Sequence, residues 1–206
     1  MEVIYIPWSK ALRMCYKLAE MIMDSGEVFD VLVTISRGGL VPARIVSDVL
    51  GVDDLYAVSS KFWGIGGRVA PEPVIKACEG LNVQGRKALV VDEVVDTGST
   101  MTKVVKLLHD LGAASIKTAT LHYKTTSSLI PDYYVEKVEK WVWIFYPWSI
   151  SETLYELSRS RCGDGHVINE ALKLAQELSV DSNVIDREHL IKSLKLYLRR
   201  DKEVGK

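Results

Sequence analysis

The chain has 206 residues, 48% of them hydrophobic and 26% charged, with a formal net charge of −1. That composition suits a globular protein with one main core and a smaller appendage, and it excludes broad electrostatic attraction to nucleic acid or an anionic membrane. No apolar run approaches bilayer length, the opening Met1-Glu2-Val3-Ile4 lacks a signal-peptide pattern, and Cys15, Cys78 and Cys162 are too few and scattered for a disulfide framework or zinc cluster. The expectation is a cytoplasmic protein whose anionic ligands are held by a few placed groups.

Leu12, Cys15, Tyr16, Ala19, Ile22 and Met23 recur at three- and four-residue steps, predicting a helix with Ser9 as N-cap and Ser25-Gly26 as its stop. The β-branched run Val31-Leu32-Val33-Thr34-Ile35 reads as a buried strand ending in Ser36-Arg37-Gly38-Gly39. A helix over 41–50, closed by Gly51, and a strand over 55–59 follow. Gly64, Gly66, Gly67, Pro71 and Pro73 crowd the stretch 60–73, which reads as a mobile loop or hairpin tip. Residues 87–92 predict a strand, 98–111 a helix ended by Gly112, and 115–122 another strand. This alternation predicts an α/β fold, a mostly parallel central sheet flanked by helices, with ligands at the carboxyl ends of the strands.

After Trp148 three apolar stripes recur at helical spacing, around Leu154, Leu172 and Leu194, separated by Gly163-Asp164-Gly165 and Asp181-Ser182-Asn183. They predict a C-terminal three-helix unit, dividing the chain into domains at 1–149 and 150–206.

The chemistry concentrates in Ala88-Leu89-Val90-Val91-Asp92-Glu93-Val94-Val95-Asp96-Thr97-Gly98-Ser99-Thr100. A buried strand delivers two acids, then a third, then a hydroxyl-rich turn that opens a helix. The first amides of a helix lack internal partners and its dipole favours an anion, so the turn suits a phosphate monoester. Thr97, Ser99 and Thr100 add neutral donors, and no Gly-Lys-Ser/Thr follows, so this is not a nucleoside-triphosphate loop. Asp92 and Glu93 suit hydroxyl groups or Mg2+, both of which want oxygen acceptors. Taken alone, such acids also cap helices and solvate strand ends. Ser36-Arg37-Gly38-Gly39 likewise exposes amides beside a guanidinium, as a pyrophosphate needs, or forms a plain surface turn.

Residues 88–100 resemble the phosphoribosyl-pyrophosphate signature of the type I phosphoribosyltransferases: apolar strand, two acids, two apolar residues, then Asp-Thr-Gly-x-Thr. The resemblance implies that Asp92 and Glu93 bind the ribose hydroxyls, and Mg2+ partly through them. Asp96, Thr97, Gly98, Ser99 and Thr100 would hold the 5′-phosphate, with Asp96 also handling a proton near N7 of a purine. Ser36, Arg37, Gly38 and Gly39 match the family's pyrophosphate loop, often with a cis peptide. Lys61, or Arg68, would contact pyrophosphate from a loop that closes over the reacting centre.

The stretch from Lys124 to Trp148 is similar to bacterial xanthine-guanine phosphoribosyltransferases and their archaeal relatives, implying that Lys124, Trp143 and Ile144 form the base site. The match covers residues 1–148. The C-terminal helices depart from the bacterial pattern and leave adenine and 6-oxopurines both open, although the Lys124 ammonium cannot accept the 6-amino proton of adenine. The implied enzyme is a homodimeric, Mg2+-dependent purine phosphoribosyltransferase of purine salvage, with phosphoribosyl pyrophosphate and a purine base as partners. The alternatives are a non-catalytic donor-binding regulator and a pyrimidine or orotate transferase.

Overall fold

The computed structural model describes residues 2–61, 63–64, 67–68, 72–181 and 183–203, with the backbone alone at 61, 63–64 and 67–68. The strands are β1 (Val3–Tyr5), β2 (Val31–Ser36), β3 (Leu55–Lys61), β4 (Trp63–Gly64), β5 (Gly67–Arg68), β6 (Val74–Lys76), β7 (Lys87–Val95), β8 (Ser115–Lys124), β9 (Tyr133–Val138) and β10 (Trp143–Phe145). The helices are α1 (Trp8–Asp24), α2 (Leu40–Leu50), α3 (Ser99–Asp110), α4 (Ile150–Cys162), α5 (Val167–Glu177) and α6 (Arg187–Glu203), with a 3₁₀ turn at Pro147–Ser149. No helix among the described residues is long and apolar enough to cross a membrane.

The chain forms two compact units. The first, Leu12–Trp63 with Arg68–Trp141, holds a six-stranded sheet in the order β6-β3-β2-β7-β8-β9. Every pairing is parallel except that of the edge strand β6 with β3. Val31–Ile35 of β2 and Ala88–Val91 of β7 are buried, which is why these stretches read as nearly continuous apolar runs. Val31, Val33 and Ile35 of β2 and Ala88 and Val90 of β7 share a core with Met101, Val104 and Leu108 of α3.

The second unit comprises Met1–Ala11, Gly64–Gly67 and Val142–Lys206. Here β1 and β10 pair in parallel, from Val3↔Trp143 to Tyr5↔Phe145. Tyr5 and Phe145 join Leu154, Tyr155, Ala171, Leu174, Leu190 and Leu194 in one hydrophobic core, so α4, α5 and α6 form the expected three-helix unit around two short strands. Tyr155 Oη donates to Asp201 Oδ2 at 2.7 Å, and Arg159 pairs with both Asp164 and Asp201, tying α4 to α6.

Three details differ from the sequence reading. α1 begins at Trp8, with the Ala11 amide bonded to the Pro7 carbonyl at 2.9 Å, so Ser9 lies within the first turn instead of capping it. β7 continues past Asp92 to Val95 because β8 pairs with it as far as Tyr123, which puts both acids inside the strand. β6 and β9 have no counterpart in the reading, because strands at the sheet edges are only partly buried and lose the apolar pattern.

Candidate active site

β2, β7 and β8 are adjacent and parallel, so their carboxyl ends open side by side. Crevices of this kind are where open α/β sheets bind ligands.

Beyond β2 the chain turns through Ser36-Arg37-Gly38-Gly39. The Ser36–Arg37 peptide is cis, and Ser36 Oγ donates to the Val58 carbonyl at 3.1 Å. A Cβ on Gly38 would stand 1.7 and 1.8 Å from the two carboxylate oxygens of Glu93, and one on Gly39 would stand 2.7 Å from the Val91 carbonyl oxygen. The two glycines are therefore required by close approach, and they bring this loop against β7.

At the end of β7 the Glu93 amide donates to Asp92 Oδ1 at 2.9 Å. Burial, and then the adjacent Glu93 charge, push the Asp92 carboxyl well above the usual carboxylate range. Two acids held together in a partly buried cleft are a costly arrangement that a ligand rich in hydroxyls, or a cation, would relieve.

The phosphate-type loop follows. The Ser99 amide donates to Thr97 Oγ1 at a long 3.4 Å, and Gly98, at φ +82°, caps α3 with no side chain of its own. Its glycine is needed twice over: the φ is left-handed, and a Cβ would meet Ser127 Oγ at 2.6 Å and the Leu129 amide nitrogen at 2.9 Å. Thr97 Oγ1 and Ser99 Oγ lie 3.1 Å apart, and the Thr97 carbonyl accepts from both the amide and hydroxyl of Ser128 at 3.1 Å. The segment just after β8 thus braces the loop.

β8 ends in Lys124, whose side chain is only 3% exposed. Its Nζ lies 3.1 Å from Asp96 Oδ1, an ion pair largely shielded from solvent, and 5.1 Å from the centre of the Trp141 ring. A fixed donor beside a fixed acceptor is what a heteroaromatic ring with a carbonyl and a ring N–H would meet.

Asp92, Glu93, the 96–100 loop, the 36–39 turn and Lys124 are all in the first unit, at neighbouring strand ends. Trp143 and Ile144 are in β10 of the second. Ile144 is buried; Trp143 is partly buried against the helical core, and its indole Nε1 is buried without a hydrogen-bond partner among the described residues. Lys61 is the last residue of β3 and Arg68 the last of β5, but both side chains lie outside the described residues.

A model described as the phosphoribosyl transferase domain matches residues 6–153, most of the chain. The chain belongs to the phosphoribosyltransferase family. Among its relatives, the xanthine-guanine phosphoribosyltransferase of Cereibacter sphaeroides is 31% identical over 162 residues, 76% of this chain and 93% of the relative. The enzyme of the same name from Nitratidesulfovibrio vulgaris is 28% identical over 156 residues, covering 75% and 88%. In solved structures, a purine phosphoribosyltransferase from Pyrococcus horikoshii is 36% identical, with a TM-score of 0.61, over 72% of this chain and 95% of that one. A protein from Neisseria gonorrhoeae with bound ppGpp is 29% identical, with a TM-score of 0.62, over 79% and 96%.

In this phosphoribosyltransferase two site features escaped the sequence reading. The brace at 127–129 is signalled only by the small polar run Thr125-Thr126-Ser127-Ser128, which a plain loop also has. Trp141, two residues before Trp143 in an aromatic-rich stretch, carries no signal that separates it from its neighbours.

Proposed function

We propose that this phosphoribosyltransferase joins a 6-oxopurine to the ribose 5-phosphate of phosphoribosyl pyrophosphate, releasing pyrophosphate, as a step of purine salvage. The buried Lys124–Asp96 pair carries the choice of base. An ammonium has donors and no acceptor, so it suits a ring carbonyl and opposes an exocyclic amine. The names of the Cereibacter and Nitratidesulfovibrio relatives, and the ppGpp of the Neisseria protein, favour the same class of base.

In this reading the amides at the start of α3 and the hydroxyls of Thr97, Ser99 and Thr100 hold the 5′-phosphate. Asp92 and Glu93 accept from the ribose hydroxyls, and the turn from Ser36 to Gly39 holds the pyrophosphate, with Arg37 and Lys61 supplying charge. Lys124 donates to the 6-oxo oxygen of the base. N9 attacks the anomeric carbon as the carbon–oxygen bond to pyrophosphate breaks, and the leaving group takes the electron pair. Asp96 accepts the N7 proton as the new bond forms.

Asp92 and Glu93 offer the carboxylate oxygens that magnesium prefers, but no group of three His, Cys, Asp or Glu residues among the described residues could hold an ion. They fit a cation carried mainly by the donor's own oxygens, which would screen the pyrophosphate charge. A homodimeric, cytoplasmic enzyme completes the reading and is supported by the family resemblance.

The test is parallel incubation of the protein, phosphoribosyl pyrophosphate and magnesium with adenine, hypoxanthine, guanine, xanthine, uracil and orotate, measuring nucleotide and pyrophosphate. Turnover of at least one 6-oxopurine, well above adenine, is the expected result. Product from adenine alone overturns the base assignment, and product from uracil or orotate alone overturns the purine assignment.

A further inference from the structure

We infer that Trp141 is a positioning residue for the base: its indole face holds the Lys124 ammonium in place when Asp96 turns away to the incoming purine. The inference rests on the 6-oxopurine reading and extends it to a residue outside the family's motif.

Lys124 is almost completely buried, and the structure places two groups against its ammonium. One is the Asp96 carboxylate at 3.1 Å; the other is the Trp141 ring, with its centre 5.1 Å away. That separation is within the distance of about 6 Å at which an aromatic face attracts a cation, and the attraction is greatest where water is excluded. In the protein as it stands, lysine and aspartate occupy each other. Each must redirect when a base arrives, the ammonium to the ring carbonyl and the carboxylate to the ring N–H. At that moment the ammonium loses the one negative charge paired with it among the described residues, while remaining in a site that penalises an uncompensated one. The carbonyl of the base replaces a full charge with a dipole. The indole face makes up part of the difference without competing for the base, because it offers the cation a π-surface and no carboxylate oxygen.

Trp141 is itself 46% exposed, so the ring is not there to fill the core. It lies at the boundary between solvent and a buried ammonium, shielding that charge from water on one side. Truncation should therefore leave the fold intact and act on the base step alone.

The variants W141F, W141L and W141A separate a π-face from simple bulk. Steady-state kinetics would be measured with the preferred 6-oxopurine at saturating phosphoribosyl pyrophosphate, and then with the donor varied. W141A and W141L should each raise the KM for the base about tenfold, in line with a desolvated cation–π contact, while the donor KM stays within about twofold. W141F should restore the base KM to within about threefold. Leucine performing as well as phenylalanine would overturn the π-face argument, and an unaltered base KM in W141A would remove Trp141 from base positioning. A wild-type protein inactive on every 6-oxopurine would instead sink the underlying reading, so the two failures are distinguishable.

Discussion

Gly38→Ala converts the packing of the proposed pyrophosphate turn against β7 into a quantitative test. The new Cβ would stand 1.7 Å from Glu93 Oε1, 1.8 Å from Oε2 and 1.9 Å from Cδ. Nonbonded heavy atoms settle near about 3.5 Å, so the carboxylate must retreat by about 1.5 Å or more. Glu93 can retreat, because the obstructed atoms are the end of its side chain; an altered rotamer costs about 1 kcal/mol. What it then loses is its place beside Asp92 at the proposed ribose position. A hydrogen bond to a charged group contributes about 1.5–3 kcal/mol, so donor affinity should fall about 10- to 150-fold. Calorimetric titration with phosphoribosyl pyrophosphate and magnesium, alongside thermal unfolding, reads both quantities. A melting temperature within a few degrees of wild type and a strongly weakened donor are expected. A folded G38A protein that binds the donor within threefold of wild type would refute the link between the turn and the acid pair.

Asp96→Asn should keep donor affinity within a few-fold while lowering kcat about 10²- to 10⁴-fold, the range of a lost general base; rapid-quench or steady-state assays decide, and undiminished turnover removes Asp96 from the proton transfer. Asp92→Asn should be more stable than wild type at neutral pH yet bind the donor less well. The sign follows from the raised Asp92 pKa: the folded chain holds that proton more tightly than the unfolded one, so wild-type stability falls as pH rises from the ordinary carboxylate range through the raised value and stays lower above it. Melting curves across that range should show a shallower decline in the variant, and parallel curves would count against the burial argument. Leu154→Ala, at a fully buried position in the helical core, should cost about 2–5 kcal/mol by chemical denaturation, and a loss under 1 kcal/mol would mean that α4 does not anchor that unit.

The sheet was legible because its central strands are buried on both faces. Val31–Ile35 and Ala88–Val91 had to be apolar almost throughout, and that pattern survives without any knowledge of neighbours. The proposed donor site was legible for a related reason: strand, acid pair, acid, glycine and hydroxyls are consecutive, so local chain geometry alone delivers them to one helix terminus. The three C-terminal helices announced themselves by their stripes, whereas β6 and β9, at the edges of the sheet, left no comparable pattern.

From its sequence alone this protein was already readable as an α/β phosphoribosyltransferase, with Asp92, Glu93 and the 96–100 loop as its proposed donor site. Tertiary structure alone decided that Lys124 is buried against Asp96 and beneath Trp141, that Gly38 makes room for Glu93, and that Ser127, Ser128 and Leu129 brace the 96–100 loop. Those contacts join residues far apart in the sequence, and their energies depend on distance and burial. No pattern of neighbouring letters encodes either one.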